Sequence, residues 1–130
     1  MGRLSADYEA QGERLFWLAV SPAIWMAHLL VTYATVAIWC AKVVDRAGSL
    51  GGARALIVAY TVLALAGVAA TGRRGFRRRR EFGTAAAPHD FDSPEGRQRF
   101  LGFAVLLLSG LSAVGILYVA LPALFFGSCR

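Results

Sequence analysis

The residues that could carry out chemistry in this sequence lie mainly on one stripe around His28. Polar and aromatic side chains recur there at intervals of three or four residues: Ser21, Trp25, His28, Thr32, Thr35 and Trp39. This spacing places side chains on one face of an α-helix. Imidazole and hydroxyl groups need hydrogen-bond partners wherever water is excluded. We therefore expect this face to meet protein, a bound polar group or water.

His28 could act as a metal or haem ligand, as a proton relay, or as a buried hydrogen-bonding group. Bis-histidine haem ligation needs two membrane-embedded histidines, and the other histidine, His89, lies in a polar segment. Proton-driven transporters usually carry an intramembrane carboxylate, and all eight acidic residues lie outside the apolar stretches. No histidine accompanies a nucleophile and a third orienting group. We expect a packing role for His28, and neither catalysis, a metal site nor a cofactor.

Three uncharged apolar stretches, 15–41, 55–72 and 100–129, must position these residues. A helix needs about 20 apolar residues to cross the hydrocarbon core. The composition, 57% hydrophobic with a mean hydropathy of +0.53, is too apolar for a water-soluble domain. We predict one all-α membrane domain, residues 1–130. Its elements are helix 1 over about 15–41, helix 2 over about 54–72, a basic cytoplasmic loop over 73–92 and helix 3 over about 94–128.

The distribution of basic residues predicts the orientation of the chain. Ten of the 14 Lys and Arg residues lie in the amino-terminal tail or between the second and third apolar stretches, which share one side of the membrane, and four lie on the other. Basic segments remain cytoplasmic. We predict that the amino terminus lies inside and the carboxyl terminus outside.

Six arginines follow directly after the second apolar stretch: Arg73, Arg74, Arg77, Arg78, Arg79 and Arg80. With Phe76 and Phe82 between them, they could bind nucleic acid through phosphates and stacking, or dock to an acidic partner. Their position beside the membrane favours the headgroups of anionic phospholipid, which attract each basic residue by about 1 kcal/mol. Further on, Ser93 suits a helix cap and Pro94 a first helical residue, so helix 3 should begin there.

Helix 3 carries a stripe of mostly small residues, among them Gly102, Ser109 and Ala113. Small residues let helix backbones approach closely in lipid. Three helices with bulky residues on their other faces suggest a part of a larger assembly. We predict a partner interface formed by the two stripes: Ser21, Trp25, His28, Thr32, Thr35, Gly102, Ser109 and Ala113.

Cys40 and Cys129 end helices 1 and 3 on the same, outer side of the predicted topology. Bacterial periplasm is oxidising, so these two residues are placed for a disulfide if their Cα atoms come within about 7 Å. Two alternatives remain open. Each cysteine could be free and buried, or the pair could bind a metal, although two thiolates without a nearby histidine make a poor site.

Residues 20–40 resemble the first span of small uncharacterised bacterial three-helix membrane proteins. The pattern comprises Pro22, Trp25 and His28, then Tyr33 and Cys40, and these proteins tend to finish with a cysteine, as Cys129 does here. Their genes tend to accompany those of haem-copper (cytochrome c) oxidases. The resemblance implies an accessory role in that complex or its assembly. The chain departs from the pattern in Ser21, where glycine is usual, and in its strongly basic second loop.

The sequence thus predicts a noncatalytic accessory subunit of a respiratory-chain oxidase in the bacterial inner membrane, a multi-pass protein with integral membrane subunits and anionic phospholipid as partners. Two alternatives remain. One is an assembly factor for copper or haem insertion, for which Met26, His28, Cys40 and Cys129 are the candidate ligands. The other is a small self-associating transporter or channel, favoured if the polar stripe lines water.

Overall fold

The chain folds into three long α-helices. The computed structural model describes residues 2–43, 49–82, 94–127 and 129, and within them there is no β-strand. Helix α1 is Gly2–Ile38 and continues into a π-helical turn, Trp39–Val43; α2 is Gly51–Phe82 and α3 is Pro94–Phe125. Each helix contains a segment long and apolar enough to cross a membrane. The prediction of an all-α membrane protein with three spans is confirmed.

Helix α1 is longer than the predicted helix 1, because it begins at Gly2 and not near residue 15. Five of the 14 residues before Leu15 are charged, but most of the 14 are good helix formers and none is proline. Charge therefore marks where the chain leaves the membrane and does not mark where the helix begins. At its other end the helix winding loosens into the π-helical turn that contains Cys40.

Helix α2 extends over the basic segment, so the predicted loop over 73–92 is wrong in its first part. The helix begins at Gly51 and continues through all six arginines to Phe82. Arginine has a high helix propensity, and positive side chains near a helix carboxyl terminus interact favourably with the helix dipole. The basic residues therefore follow helical spacing on a rigid extension of the span.

Helix α3 begins at Pro94, in agreement with the predicted start, and ends at Phe125, three residues before the predicted end. Ser93, the predicted cap, and residues 83–92, the rest of the predicted loop, lie outside the described part of the chain. The described residues beyond Phe125 are not helical: Phe126, Gly127 and Cys129.

The helices pack around a small apolar core, with α2 and α3 in the most extensive contact. Ala64 and Val68 of α2 pack there with Ile116 of α3, which is fully buried. Small residues bring α2 and α3 close together: a Cβ atom at Gly75 would lie 3.0 Å from the carbonyl oxygen of Gly102. Such close contact is the packing by which helices associate in lipid.

Candidate functional site

The polar stripe of α1 faces the interior of the chain's own bundle. Ser21, His28 and Thr32 are only 1%, 4% and 5% exposed. Ser21 Oγ lies 2.8 Å from Ser109 Oγ of α3 in a buried hydrogen bond. Ser109 in turn packs against α2, since a Cβ atom at Gly72 would lie 3.3 Å from its Cβ. All three helices therefore meet at this serine pair.

His28 connects α1 to α2. Its Nε2 lies 3.1 Å from Thr61 Oγ1, and Thr61 Oγ1 lies 2.7 Å from the carbonyl oxygen of Ile57. The single hydroxyl hydrogen of Thr61 is donated to that carbonyl, so Thr61 accepts the hydrogen bond from His28. This assignment places the proton of a neutral imidazole on Nε2 and leaves Nδ1 with its lone pair.

Four atoms of the stripe are buried without a hydrogen-bond partner among the described residues: His28 Nδ1, Thr32 Oγ1, Trp25 Nε1 and Trp39 Nε1. Thr35, by contrast, donates to the carbonyl oxygen of Val31 at 2.7 Å, one turn back in its own helix. The stripe therefore divides into residues that join helices, residues that bond locally and residues that are only packed.

Two tryptophans of α1 and its π-helical turn pack against glycines of the other helices. A Cβ atom at Gly115 of α3 would lie 2.6 Å from Trp25 Nε1, and one at Gly52 of α2 would lie 2.5 Å from the Trp39 ring. Sequence reasoning placed both tryptophans on the polar stripe but did not identify these glycines. A glycine inside an apolar helix is a signal for close approach, but it does not indicate which side chain approaches.

The residues predicted to contact a partner are covered largely by the chain itself. Gly102 and Ser109 are buried, and Ala113, Trp25 and Thr35 are half-buried. The small-residue stripe of α3 is a packing face, but the helices it packs against are α1 and α2. Contacts within the bundle therefore account for this burial, and contact of these residues with a partner protein stays a prediction.

A disulfide and an arginine hold the other end of the bundle together. Cys40 and Cys129 form a disulfide with a Cα–Cα distance of 5.8 Å, across 89 residues of sequence. Arg54 of α2 donates to three carbonyl oxygens at the end of α3, those of Ala123 at 3.0 Å, Leu124 at 2.7 Å and Phe126 at 3.2 Å.

Arg54 was not identified as a structural residue from sequence. The last carbonyl groups of a helix lack partners within it, and a cation there also complements the helix dipole. A basic residue at the start of one span could have indicated this role, but only with the end of α3 placed beside it. An apolar cavity of about 310 Å³ lies next to this contact, between Thr32, Ile57 and Pro122.

At the basic end, Arg74 is held by α1. Its guanidinium lies 4.0 Å from the centre of the Trp17 ring, and its Nη2 lies 3.7 Å from Glu13 Oε1. The ion pair is half exposed, so most of its contribution is lost to solvent. Arg73, Arg77 and Arg80 are exposed, whereas the side chains of Arg78 and Arg79 lie outside the described set.

Comparison with known proteins gives no family for the chain: no family model, no curated protein and no solved structure matches it. In the part of the chain that the structure describes, no three His, Cys, Asp or Glu side chains form a group that could hold a metal ion. The described residues form a buried polar contact between the three helices. A disulfide lies at one end of the bundle and a basic surface at the other.

Proposed function

We propose that the chain is a noncatalytic accessory subunit of a bacterial inner-membrane respiratory complex, a haem-copper terminal oxidase, which it stabilises by helix packing. One observation carries the proposal: Ser21, His28 and Thr32 of α1 are buried in the chain's own bundle, where Ser21 bonds to α3 and His28 to α2. The surface left for lateral contact carries many large apolar side chains. The choice of an oxidase as the complex rests on the family resemblance described above for residues 20–40.

The bundle interior argues against the two alternatives. A copper or haem assembly factor would use the thiolates of Cys40 and Cys129, and both sulfurs are joined in a disulfide. A channel along the polar stripe would need water beside Ser21, His28 and Thr32, which are closed in by neighbouring helices. The two cysteines therefore provide no thiolate ligands for a metal, and the polar stripe provides no path for a solute.

Helix α3 offers the best surface for a neighbouring membrane helix. Large exposed side chains follow one another there at intervals of four and three residues: Leu107, Leu111, Val114, Tyr118 and Leu121. This is the spacing of a helix packing seam. It runs along the side of α3 that its own bundle leaves uncovered, so it suits an integral membrane subunit.

Copurification from native membranes in mild detergent tests the proposal. We expect the chain to emerge with oxidase subunits at a fixed stoichiometry. Metal-dependent, substoichiometric association would support an assembly factor, and a homo-oligomer alone would support a transporter or channel.

A matched pair of variants tests the surface. Leu111 of α3 and Leu63 of α2 are both 71% exposed. Leu111→Ala should reduce copurification, whereas Leu63→Ala should leave it unchanged. Equal behaviour of the two variants would contradict the use of the α3 seam.

A further inference from the structure

A groove runs between α1 and α2 at the basic end of the bundle. It encloses a volume of about 520 Å³. Val20 and Ile24 of α1 form one wall, and Ala70 of α2 forms part of the other. Gly67 lies between them; a Cβ atom there would be 3.2 Å from Ile24 Cδ1. The absence of a side chain at Gly67 therefore keeps the apolar part of the groove open.

Two arginines stand at the rim of this groove. Arg73 and Arg77 both line it and lie one helical turn apart on α2, and neither has an ion pair within the described residues. Arg74 also lines the groove, but its guanidinium already contacts the Trp17 ring and Glu13. Glu13 forms its ion pair with Arg74 and not with either of the other two guanidinium groups.

We propose that this groove binds one anionic phospholipid, with its phosphodiester between Arg73 and Arg77 and an acyl chain against Val20, Ile24 and Ala70. Arginine binds phosphate oxygens with two parallel hydrogen bonds. Arg73 follows directly after the uncharged stretch 55–72, so its guanidinium lies at headgroup depth. Like charges four residues apart destabilise a helix, and a phosphate between them removes that repulsion.

The proposal deepens the predicted contact with anionic phospholipid and does not depend on the oxidase. It also depends on the helical state of the basic segment. In a loop, the side chains of Arg73 and Arg77 would not be held on one side of the chain. On α2 both line one groove, and the part of the groove away from the two arginines is apolar. A phosphate ion alone would use only the rim, and a phospholipid uses both parts.

Native mass spectrometry of the full chain in mild detergent, titrated with phosphatidylglycerol, tests the site. Each arginine near a lipid surface is worth about a fivefold change in affinity, so Arg73→Gln with Arg77→Gln should weaken binding about 25-fold. The matched control, Arg3→Gln with Arg80→Gln, removes the same charge from the same end and should weaken binding less than about threefold, which is below the effect of a single arginine at the site.

A second pair of variants tests the apolar part while keeping every charge. Ala70 lines the groove, and Ala69 beside it is exposed but does not. Ala70→Trp should fill the groove and displace phosphatidylglycerol, and Ala69→Trp should not. Circular dichroism of each variant confirms that the helices are retained.

Each remaining outcome overturns the site. An equal loss of affinity in both arginine pairs would mean that the lipid is attracted by diffuse charge. The general contact with anionic lipid would then stand, and the binding site in the groove would be refuted. If the native chain showed no preference for phosphatidylglycerol over phosphatidylcholine, both the general contact and the groove site would be refuted. Displacement of the lipid by glycerol 3-phosphate, which has no acyl chains, would make this a site for free phosphate. Unchanged binding in Ala70→Trp would mean that no acyl chain occupies the groove.

Discussion

The contact between Trp25 and Gly115 can be tested by adding a single methyl group. In Gly115→Ala the new Cβ atom would lie 2.6 Å from Trp25 Nε1, 2.9 Å from Cδ1 and 3.3 Å from Cε2. Nonbonded heavy atoms reach their optimum separation only at roughly 3.5–4.0 Å. The indole is rigid and packs against the core formed by Ala64, Val68 and Ile116. The ring or a whole helix must therefore move.

The size of the effect follows from two opposing terms. Overpacking of a tight contact typically costs about 1–3 kcal/mol. Replacing glycine by alanine in a helix gains about 1 kcal/mol from propensity. Gly110→Ala is the matched control, because it lies in the same helix and its Cβ atom would meet nothing within 4 Å. The propensity term is shared, so Gly115→Ala should be less stable than Gly110→Ala by about 1–3 kcal/mol.

Equilibrium unfolding of the purified protein in mixed micelles, titrated with SDS and followed by tryptophan fluorescence, measures this difference. We expect Gly110→Ala to match or exceed the native chain in stability and Gly115→Ala to fall below Gly110→Ala. If the two variants unfold at the same SDS concentration, Trp25 does not pack on Gly115 and the placement of α1 against α3 is incorrect.

Three further predictions concern the polar contact, the disulfide and the topology. His28→Leu should lower the free energy of unfolding by about 0.6 kcal/mol, an average for hydrogen bonds between membrane helices, because Thr61 keeps its bond within α2; a loss of several kcal/mol in the same titration would contradict a packing role. The unreduced, alkylated chain should weigh two hydrogens less than its free-thiol form, and Cys40→Ser should cost less than the roughly 4 kcal/mol of a soluble chain, since the membrane already confines the helices; two alkylated cysteines would refute the bridge to Cys129. With the amino terminus inside, Ala86→Cys should resist a membrane-impermeant thiol reagent in intact cells and react after lysis; labelling of intact cells would reverse the orientation.

The sequence by itself determined the class of the protein and its three spans. Each span follows from an uncharged stretch of sufficient length, and this is a local property that needs no knowledge of neighbouring helices. The start of α3 at Pro94 was also local, because proline suits the first turn of a helix. The other ends of the helices could not be predicted from the local sequence in this way. Helical hydrogen bonds are satisfied within the chain in water as well as in lipid, so α2 could continue past the membrane to Phe82.

The tertiary structure decided which residues meet. Periodicity placed Ser21 and His28 on one face of α1, but only the rotation and register of the helices pair Ser21 with Ser109 and His28 with Thr61. The same holds for the three carbonyl oxygens that accept from Arg54. In lipid, association depends on close packing and not on burial of apolar surface from water. Hydrophobicity therefore reports that a helix spans the membrane, and the fit of individual side chains determines which neighbour it contacts.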